Sequence, residues 1–155
     1  MKYDLSVAAI VLNDVADSNY EVLLCDTGQG WSLPTGEMLE STSPEFQNDG
    51  ESEALFSCFT HLLEQTNIEP EMIDESEMTQ SKLWFVTNEK LCLVYYAFTE
   101  PTKASEMYKA MDDKKGNARF FPYDHNSPDT FPELAQQWMA EALHMQMMYF
   151  NKRQN

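Results

Sequence analysis

The chain has 155 residues, 43% of them hydrophobic and 12% aromatic, enough for the core of one domain and too few for several. Its formal net charge is −16, and residues 3 to 81 carry seventeen Asp and Glu but no Lys or Arg; the ten basic residues are Lys2 and those from Lys82 onward. Such a surface repels a phosphate backbone, so DNA and RNA are excluded as expected partners.

The surplus carboxylates act either as solubilising charge or as collectors of divalent metal. Cys25, Cys58 and Cys92 are odd in number, far apart and set in apolar runs, which argues for buried free thiols in a reducing cytoplasm rather than disulfides or a metal knot. The opening MKYDLSVAAIVLND is too short and β-rich for a membrane span and lacks the basic start of a signal peptide. A cytoplasmic protein with no membrane partner is expected.

Residues 5–12 (LSVAAIVL) are a near-continuous apolar run with Val and Ile, the pattern of a buried strand. A polar turn over 14–19 leads to a second strand over 21–25 (EVLLC), then to a loop of turn formers, DTGQG, over 26–30. Trp31 to Pro34 is expected to be extended, because proline disfavours helix at Leu33. Residues 37–50 lack periodicity and read as a surface loop. The first helix is expected over 52–66 (SEALFSCFTHLLEQT), capped by Ser52, with Leu55, Phe59, Leu62 and Leu63 on one side and Phe56 beside them. Asn67 reads as its left-handed terminal residue, after which Ile68 packs back.

Residues 69–81 form an acidic connection. The β-rich runs 82–87 (KLWFVT) and 91–98 (LCLVYYAF) read as a hairpin turning at Asn88-Glu89-Lys90. A short helix is expected over 105–111 and a further strand over 118–123 (ARFFPY). A long helix over 131–151 closes the chain, with Pro132 at its start after Thr130. Leu134, Trp138, Ala142, Met145 and Tyr149 make one apolar stripe on it, and Met139, Leu143, Met147 and Phe150 an adjoining one. This wide face suits either deep packing or a subunit or partner interface. The order strands, helix, strands, helix predicts a single α+β (mixed α/β) domain with helices packed on a twisted sheet.

These residues together resemble the Nudix, or MutT-like, family. The likeness is carried by SVAAIVLND as first strand, EVLLCDTGQGWSLPTGEM running into a phosphate loop, the helix ending LLEQTNI, and the late ARFFPYDH. The family reads W-x-L-P-G-G at the loop; Trp31, Leu33, Pro34 and Gly36 match it, with Thr35 in place of the first glycine. The family signature closes on Arg-Glu-apolar-x-Glu-Glu-x-Gly-apolar. Anchored on Ile68, it puts Thr60 and His61 at the Arg-Glu pair, Glu64 and Gln65 at the Glu pair, and Asn67 at the glycine. The stretch from Gly36 to Ile68 is also longer than the family pattern, and the surplus falls in 41–50, where Gly50-Glu51 offers a displaced Gly-Glu.

The resemblance implies an α/β/α sandwich and Mg²⁺- or Mn²⁺-dependent hydrolysis of nucleoside diphosphates linked to another moiety. Cleaving a phosphoric anhydride requires neutralised phosphate oxygens and a positioned water, which Glu residues at i, i+3 and i+4 of one helix achieve by holding the metal. Here that triplet is His61, Glu64 and Gln65, with one negative charge. Glu64 is the catalytic candidate; His61, Glu64, Glu37, Glu40 and Glu51 are the metal candidates, although Glu51 and Glu53 also suit the helix dipole. Trp31, Gly36 and Arg119 are the substrate-binding candidates, with Lys82 and Lys90 the other cations for a phosphate. Trp31, Trp84, Tyr95 and Tyr96 serve either as base-stacking or as core residues. His125 and His144 read as surface residues, and Cys58 lacks a cationic neighbour that would make it a nucleophile.

Three readings follow. In the leading one the signature has decayed, hydrolysis is weak or lost, and nucleotide or ligand binding or regulation remains. In the second, an active divergent pyrophosphohydrolase gathers metal with Glu64 and Glu37, Glu40 or Glu51. In the third, the Met-rich last helix makes a homodimer or adaptor.

Overall fold

The computed structural model describes residues 4–15, 19–26, 28–39, 50–74, 82–87, 90–124 and 130–154, with the side chains of 4, 15, 19, 50–53, 82–90 and 149–154 left aside. The strands are β1 (Asp4–Val15), β2 (Asn19–Asp26), β3 (Trp31–Ser32), β4 (Thr35–Glu37), β5 (Lys82–Thr87), β6 (Lys90–Phe98) and β7 (Ala118–Tyr123). The helices are α1 (Gly50–Thr66), α2 (Ala104–Asp112) and α3 (Gln137–Gln154), with 3-10 turns at Pro70–Met72 and Pro101–Lys103.

All seven strands form one mixed sheet in the order β3-β2-β1-β6-β5, with β4 also on β1 and β7 also on β2. The apolar run of β1 is its spine: Val7 through Leu12 are all buried. Period-two alternation sends Val7, Ala9 and Val11 to one face, under α1 and α2, and Ala8, Ile10 and Leu12 to the other, under α3. A strand covered on both faces has no polar side, which is why this segment reads as continuously apolar. The result is the expected α/β/α sandwich. β1 runs parallel to β6 over Asp4 to Leu12, and β5 pairs antiparallel with β6, Thr87 opposite Lys90, so the hairpin is as expected. Asn88 and Glu89 lie outside the described residues.

The fork in this sheet positions the site. On the edge of β1 away from β6, β4 pairs with Ser6 to Ala8 while β2 pairs with Leu12 to Val15. The segment WSLPTG crosses between the two branches: Trp31 and Ser32 pair with β2, the Pro34 carbonyl accepts the Ala9 N–H at 2.9 Å, and Thr35 to Glu37 join β1. The expectation of a loop from residue 37 thus gives way at its start to the end of β4, while 40–49 lie outside the described residues.

Helix α1 begins two residues before the expected Ser52, which therefore sits inside its first turn. Its innermost side chains are Ala54, Cys58 and Leu62, one above another at i+4 steps, with Leu55 and Phe59 flanking them; Leu63 is 43% exposed rather than buried. Asn67 ends the helix in the left-handed region, φ 65°, with its N–H on the Leu63 carbonyl and its Nδ2 donating to the Ala110 carbonyl of α2 at 3.0 Å. Ile68 then packs into the core as expected.

The C-terminal helix starts at Gln137 rather than 131. The preceding residues spend their backbone groups elsewhere: Leu134 forms a parallel bridge with Trp31, and the Ala135 N–H donates to the Trp31 carbonyl at 2.9 Å. Phe131 is held by ring contacts with Phe121 and Tyr123. The face of α3 on the sheet is Met139, Ala142, Leu143, Gln146 and Met147; it draws Ala142 from the first sequence stripe and Met139, Leu143 and Met147 from the second, while Met145 of the first is 53% exposed.

Candidate functional site

The site expected from the sequence is the junction of the WSLPTG crossing with the last turns of α1. Thr35 is fixed from both sides. Its hydroxyl donates to the Val7 carbonyl at 2.7 Å, and its peptide unit is clasped by the amide of Gln65. Gln65 Nε2 donates to the Thr35 carbonyl at 2.7 Å, while Gln65 Oε1 accepts the Thr35 N–H at 3.2 Å and the Cys25 thiol at 3.4 Å. Only an amide completes this pairing, because a carboxylate would turn an acceptor oxygen toward the Thr35 carbonyl.

One turn earlier, His61 lies against Gly36. A Cβ at Gly36 would fall on the imidazole ring, so this glycine is needed for space rather than for an unusual backbone angle. His61 Nε2 is 2.7 Å from the Glu37 carbonyl, which can only accept, so Nε2 carries the proton. Its Nδ1 faces Glu64 Oε2 at 4.0 Å. Thr60, at the position of the family arginine, bonds back to the Phe56 carbonyl at 2.8 Å within its own helix. Ser57 adds a further fastening that no local pattern signals: it is buried, and its Oγ accepts the Leu39 N–H at 2.7 Å.

Glu64 differs from these neighbours. Its carboxylate is 68% exposed, and the only cation drawn to it among the described residues, Lys114, donates to its main-chain carbonyl at 2.6 Å. A lysine on the last carbonyls of α1 complements the helix dipole. The sequence DDKKGN announces the turn that carries Lys114, but not that the turn reaches α1.

The remaining candidates are distributed. Glu37 is exposed, and its register opposite Ser6 aims it at the α3 face of the sheet, away from His61 and Glu64. There it lines a cleft of about 130 Å³ with Ser6, Thr35, Gln136 and Trp138. Glu51 sits in the first turn of α1; thirteen residues at 1.5 Å each put it roughly 20 Å along the axis from Glu64. Glu40 and His125 lie outside the described residues, as do the side chains of Trp84, Lys82 and Lys90. Trp31 and Arg119 are brought together: the guanidinium lies 5.4 Å from the Trp31 ring centroid and 4.7 Å from that of Phe121, and the two rings meet edge to face at 4.7 Å. Tyr95 and Tyr96 are buried and belong to the core.

Mg²⁺ requires near-octahedral oxygen ligands. Among the described residues at this junction Gln65 has both amide ends engaged and His61 Nε2 carries a proton, which leaves one carboxylate and the Nδ1 lone pair of His61 beside it. Among the described residues no three His, Cys, Asp or Glu gather as a metal group. One carboxylate and one imidazole nitrogen, the donors that the described residues leave open here, do not fit the octahedral oxygen set of the Mg²⁺ that the family resemblance implies. The thiols offer no substitute: burial pushes Cys58 up to about 12, with Cys92 adding to the rise, and burial likewise raises Cys25.

No protein-family model matches the chain, and no curated protein does. Solved structures do, and they define the fold. A mutT/nudix family protein from Listeria innocua matches with a TM-score of 0.59 at 12% identity, over 98% of this chain and 97% of that one. The C. elegans Ap4A hydrolase matches at 0.52 and 14%, over the whole of both chains. The NUDIX domain of Shewanella oneidensis NrtR, complexed with ADP ribose, matches at 0.53 and 12%, over 99% of this chain and 89% of that one. Against NrtR as a longer chain, this one spans 63% of its length. The chain thus has the Nudix (MutT-like) fold. None of its described helices is long and apolar enough to cross a membrane.

Proposed function

We propose that this is a cytoplasmic Nudix-fold domain in which Mg²⁺- or Mn²⁺-dependent hydrolysis is weak or lost, and whose remaining role is ligand binding or regulation. The observation that carries the reading is the clasp of Gln65 on the Thr35 peptide, joined by His61 on the Glu37 carbonyl. At two positions where the family places metal-holding glutamates, this chain places an amide and an imidazole N–H that fasten β4 to α1.

Charge and space support the same reading. A di- or triphosphate approaching Glu64 meets an acidic half-chain, and the cleft beside Glu37 is smaller than the roughly 300–1,000 Å³ of ordinary small-molecule sites. A net charge of −16 likewise disfavours direct contact with nucleic acid. The NrtR structure with a 27mer DNA is a property of that longer protein, of which this chain spans 63%.

A hydrolysis panel of nucleoside triphosphates, nucleotide sugars, ADP-ribose and dinucleoside polyphosphates with Mg²⁺ and Mn²⁺ tests the proposal. Turnover at background level, unchanged by Glu64→Gln, is expected. Robust turnover abolished by Glu64→Gln would establish the divergent hydrolase instead.

A further inference from the structure

The face of the sheet that carries α1 and α2 holds a cleft of its own, on the opposite side from the Glu37 cleft. It has a volume of about 470 Å³, within the range of small-molecule sites, and opens between α2, the turn after it and the paired strands β2 and β7. Met111, Ala118 and Phe120 give it an apolar floor. Tyr108, 45% exposed, stands as a wall, its ring meeting that of Phe120 at 6.1 Å and 67°. The turn that supplies Asp112, Lys115 and Gly116 is fastened on both sides: Lys114 Nζ donates to the Glu64 carbonyl at 2.6 Å, and the Asn117 carbonyl accepts the Asp26 N–H at 2.7 Å.

Two oxygens of the lining are held in place from β1. The Asn13 amide has two N–H groups; Nδ2 donates to Glu21 Oε1 at 3.1 Å and to the Tyr108 hydroxyl oxygen at 3.0 Å. Its Oδ1 accepts the Thr99 hydroxyl at 2.8 Å, which fixes the amide's orientation. Both oxygens keep further lone pairs for a guest. Burial first, and the Glu21 charge second, raise the Tyr108 phenol above its ordinary range, so it meets a guest as a neutral hydroxyl. Among the described lining residues, Glu21 and Asp112 stand against Lys115, while the Arg119 guanidinium lies over Phe121 and Trp31, rings packed on the other face of the sheet. Fixed acceptors, aromatic rings and a surrounding charge of −16 together favour a cation.

We propose that this cleft binds a small organic cation, a primary ammonium group on a short apolar body. The ammonium donates to Glu21 and to the Tyr108 oxygen, and the body lies on Met111 and Phe120. The site shares no residue with the α1 junction, so the hydrolysis panel neither supports nor weakens it.

Calorimetric titration of the full chain at neutral pH and low salt with phenethylamine, and with 2-phenylethanol as its uncharged counterpart, tests the proposal. Saturable one-site binding of the amine is expected, tighter than the alcohol by about tenfold or more. Glu21→Gln keeps an acceptor for Asn13 while removing the charge, and should weaken the amine by about tenfold. Glu141→Gln, which removes an exposed carboxylate of α3, should leave binding unchanged and so separates a site from diffuse attraction. Lys115→Asn, a residue type suited to the φ of 53° at this position, should tighten binding by removing a like charge. Where a variant fails to fold, the comparison of amine with alcohol on the wild-type chain decides the matter. Absence of saturable amine binding, an alcohol that binds as tightly as the amine, equal weakening by Glu21→Gln and Glu141→Gln, or weaker binding in Lys115→Asn would each overturn the proposal.

Discussion

Gln65 shows how one atom can change what a position does. Replacing the carboxylate oxygen of a glutamate with an amide nitrogen turns a metal ligand into a clasp that satisfies both polar groups of the Thr35 peptide. Gln65→Glu should therefore cost about 1–3 kcal/mol, the penalty for a lost hydrogen bond with an acceptor left facing an acceptor. Urea denaturation measures this, and added Mn²⁺ should not recover the loss. At Cys58 the account concerns pH. Its folded-state thiol titrates near 12 against an ordinary 9.0 because it is buried, so the unfolded chain releases this proton first as pH rises. Its contribution to stability is whole below pH 9 and declines between 9 and 12. Comparing denaturation midpoints across that window, Cys58→Ala should show a shallower fall than wild type.

The elements differ in how much of their position is written in local sequence. The long strands, the hairpin and the end of α1 were legible because their signals are local: the apolar run of β1, the apolar and aromatic runs of β5 and β6, and Asn67 after a helical stretch. The start of α3 was not. Pro132 is a reasonable helix opener, yet residues 131 to 136 are claimed by the Trp31 backbone and by the rings of Phe121 and Tyr123, contacts distant in sequence. The burial of α1 was read a step to one side for a related reason: Ala54 and Cys58 are small, and only the close approach of β1 shows that the helix packs through them. The site was half legible. The changed signature was visible in Thr60, His61 and Gln65; the new partners of those side chains were not, because Phe56, Thr35 and Glu37 meet them through backbone groups common to every residue. Asn67 gives a test at this scale. Asn67→Ala should lose about 1–2 kcal/mol, from a non-glycine residue held at positive φ and from the bond to Ala110, whereas Asn67→Gly should lose less because it keeps the turn. Thermal melts of the two variants rank them.

Across the whole molecule, the sheet is covered on both faces, while the charge is one-sided. A net charge of −16 works against compaction, and between 10 mM and 150 mM salt the screening length falls from about 30 to about 8 Å. The melting temperature should therefore rise by a few degrees over that range, and a fall would show that ion pairs outweigh repulsion. The same acidity bears on ligands: an acidic domain that holds a metal meets phosphates through that metal, and without one it repels them. Whether the α1 junction holds an ion at all decides between a catalytic and a structural role for His61 and Gln65. Calorimetric titration of Mn²⁺ into the wild-type chain tests this most directly. No saturable one-site binding at millimolar metal is predicted; a saturable site removed by Glu64→Gln would contradict the assignment of His61 and Gln65 to the fold.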